Sequence, residues 1–374
     1  MSKVTELARP CILRRKEYIP GKPVEEVKRE LGLSDIIKMA SNENPLGTSP
    51  LALTAMIQEL HENANRYPES LCYDLRLKLA ESHHLTPEHF LLENGEDGAI
   101  TILGLTFLNP GEEVLAGQVT FAAYENMADK MDGVYVKVPL TSDYRLDVDG
   151  FLAAITPKTK LLFLCNPNNP TGTINTQEEF DRLIKRLPER VILVVDEAYC
   201  HFADDRARDG RAYPQTTPYL RDYPNLVILR TFSKIMGLAG LRVGYAIAQP
   251  EVVKLMLKAR EPFPVNRIAQ AGALAALDDA DFVRRTLEVN RRGREQFYRA
   301  FDGMELRYCH SQANFIFIDL GRPVQPVFEA LLREGVIVRP LTSFGLADGL
   351  RISVGMEEEN ARTIAALKKV LACI

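Results

Sequence analysis

The hydrophobic and polar positions along the chain fall into two textures. Between residues 91 and 245, short apolar runs alternate with amphipathic stretches: 114–116, Val134–Val138, 160–165, 191–195 and 226–229 read as buried strands, and 99–108 and 176–187 as helices between them. Strand, loop and helix in repetition predict an α/β fold built on a mainly parallel, doubly wound sheet, with ligands gathered beyond the carboxyl ends of its strands. Beyond residue 250 the texture changes. The segments 251–260 and 267–301 carry long, charged helical patterns, the second punctured by Gly272 and Gly293. Then 313–319, 335–339 and 350–354 read as strands of a smaller α+β domain, with a helix over 324–334. Ahead of both, the spacing of Val24, Val27 and Leu31 predicts a helix that Gly32 ends. The expected organisation is an arm over 1–40, a large domain over 41–250 and a small domain over 251–374 packed with the arm.

Composition narrows the function classes. The 374 residues carry a net charge of -4, which gives no broad positive field for nucleic acid. No run of apolar residues is long enough to span a membrane, and the basic N-terminus lacks the apolar stretch of a signal peptide. Six cysteines lie scattered without a CxxC pair, the pattern of reduced thiols in a cytoplasmic protein. His83, His84 and His89 flank Pro87 in what reads as a polar, solvated connection without metal-ligand spacing, so no metal is expected.

The candidate chemistry sits where strands end. Lys234 lies between Thr231, Ser233 and a glycine-rich turn, with an apolar run on either side. A lysine enclosed there can lose its proton and act as a nucleophilic amine that makes Schiff bases, whereas a surface lysine would only cover apolar neighbours. Asn94-Gly-Glu-Asp-Gly98 opens a helix whose free N–H groups suit a phosphate, or a plain cap. Asp196 ends a strong strand with Tyr199 three residues on; it can pair with a cationic ring nitrogen or cap the next helix. Cys165-Asn-Pro-Asn-Asn-Pro-Thr-Gly172 is a loop stiffened by two prolines. Arg339 and Arg351 lie on neighbouring strand candidates, where two guanidinium groups can grip a dianion or merely edge a sheet.

Taken together, Asn166-Pro-Asn-Asn-Pro-Thr-Gly172, Asp196-Glu-Ala-Tyr199, Thr231-Phe-Ser-Lys234 through Gly237-Leu-Ala-Gly-Leu-Arg242, and Leu350-Arg351 resemble the fold type I pyridoxal-phosphate aminotransferases over almost the whole chain. The resemblance implies a seven-stranded large domain and pyridoxal 5′-phosphate as cofactor. It gives Lys234 the covalent link to that cofactor and the later proton shuttle, Asp196 the ring nitrogen, Tyr199 and Asn169 the ring's phenolic oxygen, and Phe121 the ring face. The phosphate falls to the backbone of Gly95, Glu96 and Asp97, to Thr231, Ser233 and Arg242, and to Tyr67 of a neighbouring subunit, which implies a homodimer with shared sites. Gly98 departs from the family, where an acidic residue is common.

Tyr18-Ile-Pro-Gly-Lys-Pro23, Ser41-Asn-Glu-Asn-Pro-Leu-Gly47 and Leu350-Arg-Ile-Ser-Val-Gly355 are most similar to the histidinol-phosphate aminotransferase branch. That likeness assigns Tyr18, Asn44, Arg339 and Arg351 to substrate binding, with histidinol phosphate and 2-oxoglutarate exchanging an amino group. Phe263-Pro-Val-Asn266 and Met356 differ from the usual forms of that branch, and the shared motifs also suit an aromatic amino-acid aminotransferase. A pyridoxal-phosphate lyase or decarboxylase and a non-catalytic cofactor-binding protein are further alternatives.

Overall fold

The computed structural model describes residues 4–15, 22–203 and 212–373. Its strands, in chain order, are β1 (Ile37–Lys38), β2 (Phe90–Asn94), β3 (Glu113–Gly117), β4 (Val134–Val138), β5 (Thr159–Cys165), β6 (Ile192–Asp196), β7 (Leu226–Thr231), β8 (Val243–Ala248), β9 (Arg307–Tyr308), β10 (Phe315–Asp319), β11 (Val336–Ile337), β12 (Arg339–Pro340) and β13 (Gly349–Ser353). Seven of them form the large sheet in the order β2-β8-β7-β6-β5-β3-β4. Only β8 within it runs against its neighbours, so the mainly parallel reading holds. The chain reverses its winding direction between β3 and β5, and the crevice there opens beyond the carboxyl ends of both strands.

The strands of this sheet read as near-continuous apolar runs because helices cover them on both faces. Phe163, Val194, Val195, Val227 and Ile228 are fully buried, each stabilising the fold by about 1.5–3 kcal/mol relative to exposure. A second core gathers Ile316, Ile318, Leu350 and Ile352 of the four-stranded sheet β12-β13-β10-β9 with Val27 and Met39 from the N-terminal segment. Parallel pairing of β1 with β11 ties that segment to the small sheet.

Three details differ from the sequence reading. The pattern over 267–301 is two helices, Arg267–Ala276 and Ala280–Asp302, because the Asp279 side chain accepts the Phe282 N–H and caps a new start. The strand expected over 335–339 is broken into β11 and β12, which join different sheets. His83 is not in a solvated connection: it closes the helix Tyr73–His83, half-buried, and its Nε2 accepts a hydrogen bond from Arg230 at 2.8 Å. In addition, Val253, Met256, Ala269 and Ala273 pack into the core of the large sheet, although the texture beyond residue 250 groups them with the small domain.

Candidate active site

The turn after β7 places Lys234. Gly237 has φ +68°, and a Cβ there would stand 2.1 Å from the Gly47 carbonyl oxygen, so glycine is what lets the 41–47 loop lie directly on the lysine turn. Asn44 fastens the two together: its Nδ2 donates to the Ile235 carbonyl at 3.1 Å and to Thr286 Oγ1 at 3.1 Å. The Lys234 ammonium lies 3.5 Å from the Ser41 carbonyl and 5.7 Å from the Tyr199 ring centre. Burial, followed by the nearby Arg351 guanidinium, brings its pKa down to about 8. A useful fraction of the amine is therefore free near neutrality.

Asp196 ends β6 on the same floor. Its Oδ1 accepts the Ala198 N–H at 3.0 Å, and its Oδ2 accepts the Tyr124 hydroxyl. Tyr199 stands beside it, fully enclosed, with burial pushing its phenol pKa up. The Asn42 side-chain amide donates to the Tyr199 oxygen at 3.0 Å, which leaves the tyrosine O–H to donate elsewhere. Across the floor, Arg351 Nη1 donates to Asn169 Oδ1 at 2.5 Å. Guanidinium cannot accept, so this contact fixes the amide's orientation and frees the Asn169 NH2 as a donor.

An anion cradle borders this floor. The helix Gly95–Phe107 starts at Gly95, whose φ is +69° and whose absent Cβ leaves room for the Arg242 guanidinium, 2.5 Å from where that Cβ would be. The Gly95 N–H donates to the Arg242 carbonyl at 2.9 Å, which leaves the Glu96 and Asp97 N–H groups as the helix's open donors. Thr231 Oγ1 and Ser233 Oγ are 3.0 Å apart on the next turn, and Arg242 Nη2 pairs with Asp97 at 3.0 Å. Gly98, the departure from the family pattern, has its space filled by the Glu93 side chain, 3.2 Å from a would-be Cβ, and Glu93 pairs with buried Arg260 at 3.0 Å.

Lys234, Asp196, Tyr199, Asn169, Phe121 and the side chains of the anion cradle line one cavity of about 880 Å³. Arg339 and Arg351 line it too, directly opposed in the register of β12 and β13. Asn44 does not line it and acts on the lysine turn's backbone instead. Tyr67 lies away from it, 80% exposed and stacked on Phe263 at 5.0 Å. Tyr18 lies outside the described residues. Sequence reasoning missed Asn42 and the wall made by Arg15, Asn126 and Asp129 on the cavity, and Tyr124 bonded to Asp196 behind it. Asn42 lay within a motif already singled out, and Tyr124 three residues past Phe121; the arm's contact with 126–129 had no local signal.

The arrangement fits pyridoxal phosphate on its own chemistry. It joins a depressed-pKa amine, a buried carboxylate, two side-chain donors from Tyr199 and Asn169 on the same cavity, and an anion cradle at a helix start. Comparison with known proteins agrees. The family described as aminotransferase class I and II matches residues 34–367. The histidinol-phosphate aminotransferase of Moorella thermoacetica is 45% identical over 365 residues, 97% of this chain and 93% of that one. That of Symbiobacterium thermophilum is 46% identical over 363 residues, covering 97% and 98%. Among solved structures, the histidinol-phosphate aminotransferase of Sinorhizobium meliloti in complex with pyridoxal-5′-phosphate superimposes with a TM-score of 0.87 at 28% identity, covering 97% of each chain. A Thermus thermophilus aspartate aminotransferase double mutant gives a TM-score of 0.84 at 25% identity, covering 97% and 99%.

Proposed function

This chain belongs to the aminotransferase class I and II family, and from that premise we propose how its residues divide the work and which substrates they serve. The enzyme is a pyridoxal-phosphate-dependent aminotransferase that exchanges an amino group between histidinol phosphate and 2-oxoglutarate, giving imidazole-acetol phosphate and glutamate in histidine biosynthesis. The observation that carries the substrate is the pairing of Arg339 and Arg351 across β12 and β13 on the cavity that holds Lys234. Two guanidinium groups suit a phosphate monoester, and they accept the carboxylates of glutamate in the other half-reaction.

Bound pyridoxal phosphate supplies an aldehyde for amines and a ring that withdraws electrons from the substrate's Cα. Thr231, Ser233, Arg242 and the N–H groups of Glu96 and Asp97 would hold its phosphate, and Phe121 would cover the ring. Asp196 would hold a proton on the ring nitrogen. Tyr199 and Asn169 would donate to the ring oxygen, Tyr199 with the proton that Asn42 leaves free and Asn169 with the NH2 that Arg351 leaves free. Lys234 would hold the cofactor through its amine and would serve as the general base for the substrate's Cα proton. Arg339 and Arg351 orient the substrate, while Asn44 braces the lysine turn; a substrate role for Tyr18 rests on the sequence resemblance alone.

We also read the enzyme as a cytoplasmic homodimer. Leu53, Ile57 and Leu60 form a stripe about half exposed along the helix Pro50–Asn63, next to exposed Tyr67 and Tyr73, which is a face that a second copy would cover. Tyr67 then reaches the partner's cofactor phosphate. All six cysteines are unpaired, and among the described residues no helix is long and apolar enough to cross a membrane. In the domain division, the packing of 250–276 on the large sheet favours a limit inside the helix Ala280–Asp302. The substrate test is kcat/KM for histidinol phosphate, phenylalanine and tyrosine side by side with 2-oxoglutarate. A preference for histidinol phosphate is expected; a preference for an aromatic amino acid overturns the substrate while leaving the chemistry.

A further inference from the structure

The cavity floor carries an acid that this chemistry does not use. Glu96, the second residue of the helix Gly95–Phe107, is only 8% exposed and lines the cavity with Asp196 and Lys234. Its Oε1 is buried without a hydrogen-bond partner. Acids are common in a first helical turn, where the helix dipole favours them at the surface. This one is turned inward, towards Asp196, at a helix start open for a phosphate. Two ionised carboxylates there would repel each other and the phosphate.

We propose that Glu96 is a proton-holding positioning residue: its neutral carboxyl hydrogen-bonds Asp196 and keeps the cavity floor at one negative charge, so that capture of the phosphate-bearing cofactor weakens as rising pH ionises it. The inference rests on the cofactor assignment above. Burial first, then Asp196 and Asp97, push the Glu96 pKa well above the usual carboxylate range, and Lys234 pulls it back. The other groups facing it are accounted for. Tyr124 and Cys165 are buried and pushed upwards in pKa, so they stay neutral as Glu96 titrates. Arg242 is paired with Asp97, and Glu93 on β2 with Arg260. Lys234 loses its charge near pH 8, which weakens anion binding in the same direction, so only a comparison of variants isolates Glu96.

The test uses pyridoxamine 5′-phosphate, whose amine replaces the aldehyde and makes no bond to Lys234. The chain has no tryptophan, so the ligand's own fluorescence reads binding cleanly. Affinities of the wild type, Glu96→Gln, Glu96→Ala and Asp97→Asn are measured from about pH 6 to about pH 9, and the wild type is expected to weaken about tenfold more than either Glu96 variant. Asp97→Asn is expected to keep the pH-dependent loss but to shift it to lower pH, because one of the charges that hold the Glu96 proton is gone. Parallel curves for wild type and both Glu96 variants overturn the inference, as does an Asp97→Asn curve flattened like that of Glu96→Gln. If no protein binds the ligand at any pH, the cofactor assignment falls and takes the inference with it.

Discussion

The Asn42 amide donates to the Tyr199 hydroxyl at 3.0 Å, across 157 residues of chain, and that bond decides which way the tyrosine proton points. Asn42 is itself held from several sides. Its N–H donates to Ser353 Oγ at 2.8 Å, its Oδ1 accepts from the same hydroxyl at 3.0 Å, and its carbonyl accepts from Asn314 at 3.0 Å. It also sits at φ 55°, a conformation that asparagine tolerates better than alanine does. Replacing Asn42 with Ala removes the donor to a buried phenol, and we expect a loss of about 1–3 kcal/mol in denaturant unfolding together with weaker cofactor binding. An unfolding midpoint and a cofactor affinity both equal to those of the wild type would show that Tyr199 needs no such partner.

Removing Lys234 separates binding from chemistry. The anion cradle does not include the lysine, so Lys234→Ala should still take up pyridoxal phosphate. It should lose the absorbance of the covalent link and at least ~10³-fold in turnover, since the anchor and the proton carrier go together. Single-turnover kinetics and an absorption spectrum read both effects. Near-normal turnover would remove the lysine from the mechanism.

The acidity of that amine is measurable on its own. Burial and Arg351 lower its pKa to about 8, so the amine is protonated below that pH and free above it. Competitive acylation of the cofactor-free protein, followed residue by residue by mass spectrometry, should show Lys234 reactivity rising through about pH 8. The surface lysines should rise much later, near about 10.4. A Lys234 curve that coincides with theirs would contradict the enclosed site.

Arg339→Ala tests the substrate assignment. Arg351 also holds the Asn169 side chain and the Ala40 carbonyl, so its loss would disturb more than the substrate, whereas Arg339 lines the cavity with its guanidinium 5.9 Å from the Phe344 ring centre. The variant should lose about 10²-fold or more in kcat/KM for histidinol phosphate, on the scale of a charge-assisted bidentate contact, and less for phenylalanine. Equal losses on the two donors would mean that Arg339 does not read the phosphate.

Gly237→Ala probes the contact that seats the lysine turn. With φ at +68° and the Gly47 oxygen 2.1 Å from the added Cβ, either the turn or the 41–47 loop has to move. Lower thermal stability and a lower kcat are expected together; a kcat unchanged from wild type would show that the loop can yield without disturbing Lys234.

Much of this protein follows from short stretches of its sequence. The β-branched runs 191–195 and 226–229 could be little other than buried strands, and a glycine-rich turn after the second put Lys234 at a strand's carboxyl end, because backbone preference and apolar period act within a few residues. Side-chain partnership does not. Glu96 looked like any acid of a first helical turn until β6 brought Asp196 beneath it. Tyr124 gave no sign of its bond to Asp196, and the break at Asp279 hid inside an unbroken helical period. The face on which 250–276 would bury its apolar residues was equally open, since periodicity states that a face is apolar but not what covers it. Those choices rest on contacts between residues tens to hundreds of positions apart, and only the packed chain makes them.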